Sequence, residues 1–522
     1  MKGRWSARLR GLFVRVKSRV RPRSEPAPAE REPNLLVISD LHLGEDCKPT
    51  RSMSCLRRLA LVELKLSEFL DHYRDTRHEG RAWRLIINGD MIDFIHVHMV
   101  ADDCGDSGDS VEEHRFGLGT GPSAVDAKLE RVFGRHEGVF RRLAAFVAAG
   151  HEIGIVIGNH DVEFHWSRIQ ESFRRRLARL APEGKSQMVR DGIQFYPWFY
   201  LQKGLLYIEH GHQYDPTSSW DAFLDPQLFH RDGELQLNLS SASIRYFANL
   251  EPQLDPHGQS HWTLKQYVLF GWAQGVKAWV RLFSRYVYMS WRIIGLWRQS
   301  RHAGRELRRK NHLRRIHLMA DRIRVPVDTL LELDSLRRIP VTYSLIGLCR
   351  VLYLDRVLVW LGASVLLGMG AWVQPGAWAW IAPAVVLPSL VFANWFLAAR
   401  RHVDPGTSLI QMAQRIHDVV DVPLVVFGHT HDAKDIPLKS GGHYFNTGTW
   451  VDGQDAGDGV PFTHLIVHWK RDRVRAELCR WEAESVPMGG GLGAEFQATG
   501  VVADEPAAGP SMGLEHPVEG LA

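Results

Sequence analysis

Five short groups of carboxylate, imidazole and amide side chains occur along the chain, and their residue types suit the binding of divalent metals. In order they are Ser39-Asp40-Leu41-His42, Asn88-Gly89-Asp90-Met91-Ile92-Asp93, Gly158-Asn159-His160-Asp161, His210-Gly211-His212 and Gly428-His429-Thr430-His431. In the first and last groups two donors stand two residues apart, a spacing that directs both side chains to one side of an extended segment. Oxygen and imidazole donors without thiolate are typical of sites for Mn, Fe or Zn. One such group is common by chance, but five in succession predict a metal site.

Each group follows a short apolar run, which predicts a β-strand. The runs cover residues 35–39, 85–88, 153–157, 205–209 and 424–427. Helical patterns at 55–73 and 127–149 alternate with them, which predicts an α/β fold whose sheet is covered on both faces. In such folds ligands gather beyond the carboxyl ends of the strands, where all five groups lie. Further strands are expected at 444–446, 464–469 and 474–481, and a polar loop at 101–123.

The order of these motifs resembles that of the calcineurin-like metallophosphoesterase family, over about residues 34–215 and 406–480. The resemblance implies a two-sheet α/β sandwich that holds two divalent metal ions and hydrolyses a phosphoester or pyrophosphate bond. It assigns seven metal ligands: Asp40, His42 and His431 for one ion, Asn159, His210 and His429 for the other, and Asp90 as the bridge between the two.

The same resemblance gives catalytic roles to His160 and Asp161. His160 lies outside the ligand set, where it can stabilise or protonate the leaving oxygen, and Asp161 would orient it. Asp93 and His212 are weaker candidates for supporting the ligands. Two bound cations neutralise a phosphate and lower the pKa of a bound water, and a neighbouring His is the usual proton donor to a departing oxygen.

Within the family, the segments 39–44 and 89–93 resemble the branch of UDP-2,3-diacylglucosamine pyrophosphatases, which cleave a lipid-linked pyrophosphate at the membrane surface. The chain departs from that branch in a longer insertion and in His160, where the branch often has Arg. Two alternatives stay open: a nuclease or soluble nucleotide phosphodiesterase of the same fold, and a non-catalytic membrane scaffold. The uncharged segments described next favour membrane lipids and a lipid-linked phosphorylated substrate as partners, and no nucleic acid is expected.

Residues 216–405 differ from the rest of the chain and predict a helical insertion. No acidic residue occurs between Asp255 and Glu306, where five Trp stand among Lys and Arg, which is typical of interfacial helices. A run of 43 uncharged residues then separates Arg356 from Arg400 and divides at Gln374-Pro375-Gly376. We expect a transmembrane hairpin at about 351–373 and 377–399, the second segment reaching ~34 Å as a helix. A buried hairpin in a soluble protein is the alternative.

Charge and composition complete the predicted organisation. Arg residues flank both outer ends of the hairpin, so the positive-inside rule places the catalytic domain on the cytoplasmic face. Residues 1–33 are predicted to form a basic amphipathic segment and linker, 34–215 and 406–484 the two parts of the metallophosphoesterase domain, and 485–522 a disordered tail. The five Cys form no CxxC pair, which argues against a disulfide framework or a thiolate zinc site.

Overall fold

The computed structural model describes residues 32–47, 53–100, 111–228, 233–251, 264–300, 304–373, 378–399, 405–439, 441–451, 462–470, 473–488 and 494–497. Its strands are β1 Asn34–Ile38, β2 Trp83–Asn88, β3 Glu152–Val156, β4 Ile193–Tyr196, β5 Phe199–Gln202, β6 Leu206–Glu209, β7 Gln227–Leu228, β8 Glu234–Leu235, β9 Leu424–Phe427, β10 Lys434–Pro437, β11 His443–Asn446, β12 Thr463–Lys470, β13 Arg473–Trp481, β14 Ser485–Pro487 and β15 Ala494–Gln497. Its helices are α1 Met53–Asp75, α2 Val111–Phe116, α3 Pro122–Arg135, α4 Glu137–Ala148, α5 Ser167–Arg179, α6 Ser186–Asp191, α7 Leu239–Tyr246, α8 Leu264–Ala273, α9 Val276–Ser300, α10 Arg305–Ile323, α11 Val327–Ser335, α12 Leu345–Val351, α13 Leu354–Val373, α14 Trp378–Ala399 and α15 Pro405–Val420.

Two sheets form the centre of the fold. The first has the order β14-β13-β12-β1-β2-β3-β4, with β15 also paired to β13, and the second has the order β10-β11-β9-β6-β5. Strands β1 to β4 are parallel, whereas β12 runs antiparallel to β1. In the second sheet β6 and β9 are parallel neighbours. Strands that precede the helical region therefore pair with strands that follow it in both sheets.

Successive side chains along a strand point to opposite sides of its sheet, and this explains how the layers pack. Leu35 and Val37 of β1 share an apolar cluster with Val426 of β9, and this cluster fills the space between the two sheets. Leu36 and Ile38, on the opposite side of β1, pack with α1, α3, α4 and α5. The outer side of the second sheet is covered by α10, α11 and α15. The predicted mixed α/β architecture, with a sheet buried on both faces, is confirmed.

The chain after Ser485 differs from the prediction. The sequence predicts a disordered tail from 485, but β14 and β15 are strands on the free edge of β13, paired through Arg480↔Val486 and Val474↔Phe496. An open edge of nine residues presents unpaired backbone groups, and these two short strands satisfy them. The remainder of the predicted tail lies outside the described residues.

Two local predictions are also wrong. The single helix expected at 127–149 divides at His136, which leaves helical geometry (φ −114°, ψ 29°) while its Nε2 accepts the Gly44 N–H at 3.0 Å. The polar loop expected at 101–123 contains α2, because Phe116 provides a buried apolar anchor for that turn of helix. Residues 101–110 lie outside the described part of the chain.

Helices α7 to α14 occupy the region predicted as an insertion. Within the described ranges no single helix is both long and apolar enough to cross a membrane, although Leu345–Val351 and Leu354–Met369 meet that requirement as a pair bent by 81°. The predicted turn at Gln374-Pro375-Gly376 and the basic segment at 1–31 lie outside the described residues, so the hairpin stays a prediction.

Candidate metal centre

The five polar groups lie at one edge of the two sheets, because each follows directly after β1, β2, β3, β6 or β9. The loops after β1 and β9 bring together Asp40, His42 and His431, whose donor atoms lie within 4.8 Å of one another. Asp40 Oδ1 is 3.2 Å from His431 Nε2. His42 Nε2 is 3.3 Å from His431 Nε2 and 3.9 Å from Asp40 Oδ1. Residues nearly 400 positions apart in the chain therefore form one set of three donors.

A second set adjoins the first and shares Asp90 with it. His210 Nε2 lies 3.2 Å from Asp90 Oδ2 and 3.2 Å from Asn159 Oδ1. The same Asp90 oxygen is 4.0 Å from His42 Nε2, which belongs to the first set. Asp90 is the carboxylate between the two sets, and all of these side chains except His431 are buried.

His429 lies beside the second set, with its ring held in a particular orientation. Its Nε2 lies 3.2 Å from Asp215 Oδ2, so Nδ1 is the ring nitrogen that a metal could use. Its ring centre is 5.4 Å from that of His210. Asp215 is held by Thr217, whose hydroxyl and backbone N–H both donate to it. The sequence analysis did not identify Asp215, which stands outside all five groups.

The tautomers of two histidines fit metal binding. His210 Nδ1 lies 2.8 Å from the carbonyl oxygen of Asn88, which can only accept, so this nitrogen carries a hydrogen. In the neutral ring, Nε2 then presents a lone pair to the Asp90 carboxylate. Two electron-rich atoms 3.2 Å apart need a positive charge between them, from a proton or a metal. His42 Nδ1 likewise donates to Asp93 Oδ2 at 3.1 Å and directs Nε2 to the donor set.

The shifted pKa values of the buried Asp and His side chains also show that the site favours positive charge. Burial would lower the pKa of His210, but the Asp90 carboxylate outweighs it and raises that pKa to about 9. Burial would raise the pKa of Asp40, but the adjacent His431 outweighs it and lowers that pKa to about 2. The carboxylates therefore stay charged and favour positive charge on the neighbouring rings, and the same negative charge suits divalent cations.

The backbone at the site is held in an uncommon conformation. Five of the seven predicted ligands have left-handed φ angles: Asp40 56°, His42 46°, Asp90 51°, His429 68° and His431 58°. Among the described residues only five other non-glycine positions share this conformation. Asp and His adopt it more readily than bulky or β-branched residues. Such strain persists where the surrounding structure holds it and is concentrated at functional sites.

Glycine is required beside the ligands because no space is left there for a Cβ atom. A Cβ atom at Gly158 would lie 2.2 Å from Asp90 Oδ1, and one at Gly89 would lie 2.3 Å from His210 Nδ1. Each distance is far below van der Waals contact, so a larger residue would displace a donor side chain. The glycines that precede the donors in these two motifs let the backbone pass directly against the ligand cluster.

Asp93 holds three histidines with one oxygen. Its Oδ2 lies 3.1 Å from His42 Nδ1, 2.7 Å from His96 Nδ1 and 3.0 Å from His160 Nδ1. The sequence analysis assigned Asp93 only a weak supporting role and assigned no role to His96. The spacing of three residues between Asp93 and His96 was the available signal, because it lets the side chains meet across a turn.

Asp161 does not occupy the predicted position beside the ring of His160. Its carboxylate accepts the backbone N–H groups of Gly158 at 2.6 Å and Met91 at 2.8 Å, and Asp93 faces His160 in its place. The reason is local, because the turn after β3 folds back and the Asp161 side chain closes it. Burial, reinforced by the Asp90 carboxylate, raises the pKa of Asp161 to about 7.

His160 and His212 have opposite electrostatic surroundings. Burial would lower the pKa of His160, but Asp93 and Asp90 outweigh it and raise that pKa to about 10. The backbone N–H of His160 also donates to Asp90 Oδ1 at 2.8 Å. Burial and the neighbouring His210 hold the pKa of His212 well below its usual range, and its Nε2 bonds to Gln213. His212 therefore supports the wall of the site rather than joining the donor sets.

No family model matches the chain, and no curated protein matches it. Among solved structures, a dimetal phosphatase from Danio rerio aligns over 90% of this chain and 99% of its own, with 10% sequence identity and a TM-score of 0.30. A score this low carries no argument about fold or activity. The clustered Asp and His donors themselves fit a metal-dependent phosphoesterase, as the sequence predicted.

Proposed function

We propose that this protein is a dinuclear metal-dependent phosphoesterase that hydrolyses a phosphoester or pyrophosphate bond. The observation that carries the proposal is the convergence of two donor sets on one carboxylate, Asp90. The ligands we propose are Asp40, His42 and His431 for one ion, Asn159, His210 and His429 for the other, and Asp90 for both. When bound, two divalent cations would neutralise a phosphate and would lower the pKa of the water that attacks it, so that its deprotonated form is available near neutral pH.

The protein's own residues orient the donors and restrict access. Asp93 and the Asn88 carbonyl fix the tautomers of His42 and His210, so these rings present a lone pair without reorganisation. His42 and His210 are fully buried, whereas the His431 side chain is 25% exposed. The substrate therefore approaches from the His431 side, and water is excluded on the other.

His160 is the proposed proton donor to the leaving oxygen. Its ring packs edge-to-face on His42 at 4.8 Å, beside the donor sets. With Nδ1 directed to Asp93, Nε2 is the atom that would give the proton, and the Asp93 carboxylate stabilises the protonated ring.

Metal dependence tests this proposal directly. Protein stripped by a chelator should lose turnover of an activated phosphodiester and regain it with Mn, Fe or Zn, binding two ions per chain. Phosphomonoesters, phosphodiesters and a lipid pyrophosphate assayed in parallel would define the bond that is cleaved. Unchanged turnover by protein shown to contain no metal would refute the proposal.

We further propose that the enzyme is attached to a membrane and acts on a lipid-linked or amphiphilic phosphate from the cytoplasmic side. Large apolar side chains on α13 and α14 support this, among them Leu358, Trp372 and Val391, each at least 63% exposed. Contiguous exposed apolar surface of this kind is unfavourable in water and favourable in lipid. Full-length protein should sediment with membranes and require detergent for release; a fully soluble protein would contradict the attachment.

A further inference from the structure

Helix α9 pairs three of its Arg side chains with acidic groups of the protein and directs a row of apolar side chains outward. Arg285 contacts the Glu251 carboxylate and the Leu250 carbonyl, and Arg281 Nε lies 3.3 Å from Glu251 Oε1. Further along, Arg292 Nη2 lies 2.6 Å from Glu112 Oε1. These ion pairs fix the orientation of the helix against α2 and against the turn Ala248–Leu250, which Glu251 follows.

The inner side of α9 is also closed by packing. Met289 and Ile293 are buried in a small cluster with Leu239 and Tyr246 of α7 and Leu348 of α12. Both charge and packing therefore attach the same side of α9 to the protein. The rotation of α9 about its own axis is therefore fixed, and this decides which of its residues face away from the protein.

The outer side carries five large apolar residues at helical spacing: Val276, Val280, Phe283, Val287 and Trp291. They are 48% to 70% exposed, and Leu269 and Trp272 of the preceding helix α8 are exposed as well. Single exposed apolar residues are ordinary, but a continuous row marks a binding surface. Lys277 and Arg298 lie exposed on the same helix, and no acidic residue occurs between Asp255 and Glu306.

We propose that the outer side of α9 docks on an anionic lipid surface, with its apolar row among the acyl chains and its cations at the headgroups. Trp together with Lys and Arg on a helix that lies in the membrane plane is the pattern expected at this boundary. A second copy docked through the same row would bring cation against cation. The inference rests on the membrane attachment proposed above, and it is independent of the hydrolytic activity.

The inner side of α9 is connected to the loop beside the metal centre through a short series of hydrogen bonds. The turn Ala248–Leu250, whose last carbonyl receives Arg285, also contains Asn249. Asn249 Nδ2 donates to the Ile95 carbonyl at 2.7 Å, within the loop that carries Asp93. Helix α9 is thereby linked, through this turn, to the loop whose Asp93 faces His160.

Photocrosslinking tests the contact itself. A photoreactive phenylalanine replaces Val287, which is 49% exposed, or as a matched control Leu64 of α1, which is 54% exposed. The full-length protein is bound to phosphatidylcholine vesicles with and without phosphatidylglycerol. We expect several-fold more lipid adduct at 287 than at 64, a rise with phosphatidylglycerol, and a fall with added salt. Equal yields at the two positions, no response to phosphatidylglycerol, or adducts to a second protein chain would overturn the proposal.

Two further experiments separate docking of α9 from other forms of membrane attachment. The same reagent at Val391 of α14 reports membrane attachment through the hairpin. Lipid adducts at 391 without adducts at 287 would refute the docking of α9 and would leave the proposed membrane attachment standing. Lys277→Glu should remove much of the gain from phosphatidylglycerol, and Lys185→Glu, at an exposed position remote from α9, should not. Hydrolysis of a soluble phosphodiester, measured in the same samples, reports the proposed activity separately, because crosslinking needs no turnover.

Discussion

Asp90→Asn is expected to lower turnover by roughly 10³-fold or more and to reduce the bound metal below two ions per chain. The substitution keeps an oxygen that can accept the His160 N–H, so the turn after β2 should stay folded. It removes the negative charge that faces both His210 and His42. Two cations would then repel each other without a shared anion between them.

Metal analysis of the purified variant, together with turnover of an activated phosphodiester, measures both effects. Asp191→Asn is the matched control, because Asp191 is an exposed carboxylate bonded to Gln187. The control should bind two ions and keep its activity. A variant of Asp90 that bound two ions and turned over at the wild-type rate would show that Asp90 is not a bridge.

Much of the ligand cluster was predictable because each donor directly follows an apolar strand. The strand pattern is local, and parallel strands bring their carboxyl ends to one edge, so Asp40 and Asp90 could be placed together from sequence. The contact between Asp40 and His431 depends on two sheets packing face to face. That contact came from the family resemblance rather than from spacing.

The supporting residues could not be assigned in the same way. Asp161 was expected to contact His160, its neighbour in the chain, but its carboxylate returns to the backbone of its own turn. Asp93, 67 positions away from His160, supplies the contact in its place. Sequence spacing gives the direction of a side chain within a regular strand or helix, and these residues lie in tight turns where that rule fails.

Strands β14 and β15 show a second limit of prediction from the sequence. Their residues, Ser485–Pro487 and Ala494–Gln497, lie in a Gly-rich and Ala-rich stretch with little strand character of its own. They are strands because β13 offers an open edge on which to pair. Similarly, the composition of α9 predicted an interfacial helix, but the ion pairs of Arg285 and Arg292, together with the buried inner side, determine which side faces outward.

His160→Ala is expected to retain both metal ions and to lower turnover by roughly 10²–10⁴-fold on a substrate with a poorly activated leaving group, the range for one general acid. The family resemblance leaves His160 out of the ligand set, although one of its ring nitrogens lies within 4.8 Å of donor atoms of His42 and Asp90. Because its Nδ1 faces Asp93, we expect its removal to leave the seven donors in place. An alkoxide leaving group needs a proton in the transition state, whereas a nitrophenolate does not. The loss should therefore be much smaller for a nitrophenyl ester than for an alkyl ester of the same phosphate.

The comparison of two leaving groups isolates proton donation from other roles of the ring. His317→Ala, at an exposed position on α10, serves as the control and should leave both rates unchanged. In the wild type, the rate on the alkyl ester should fall as the pH rises through the pKa of the donor, and this fall should be absent from the variant. An equal loss of turnover on both esters would contradict proton donation and would leave electrostatic stabilisation of the phosphate as the function of His160. Loss of bound metal from the variant would show that His160 is a ligand.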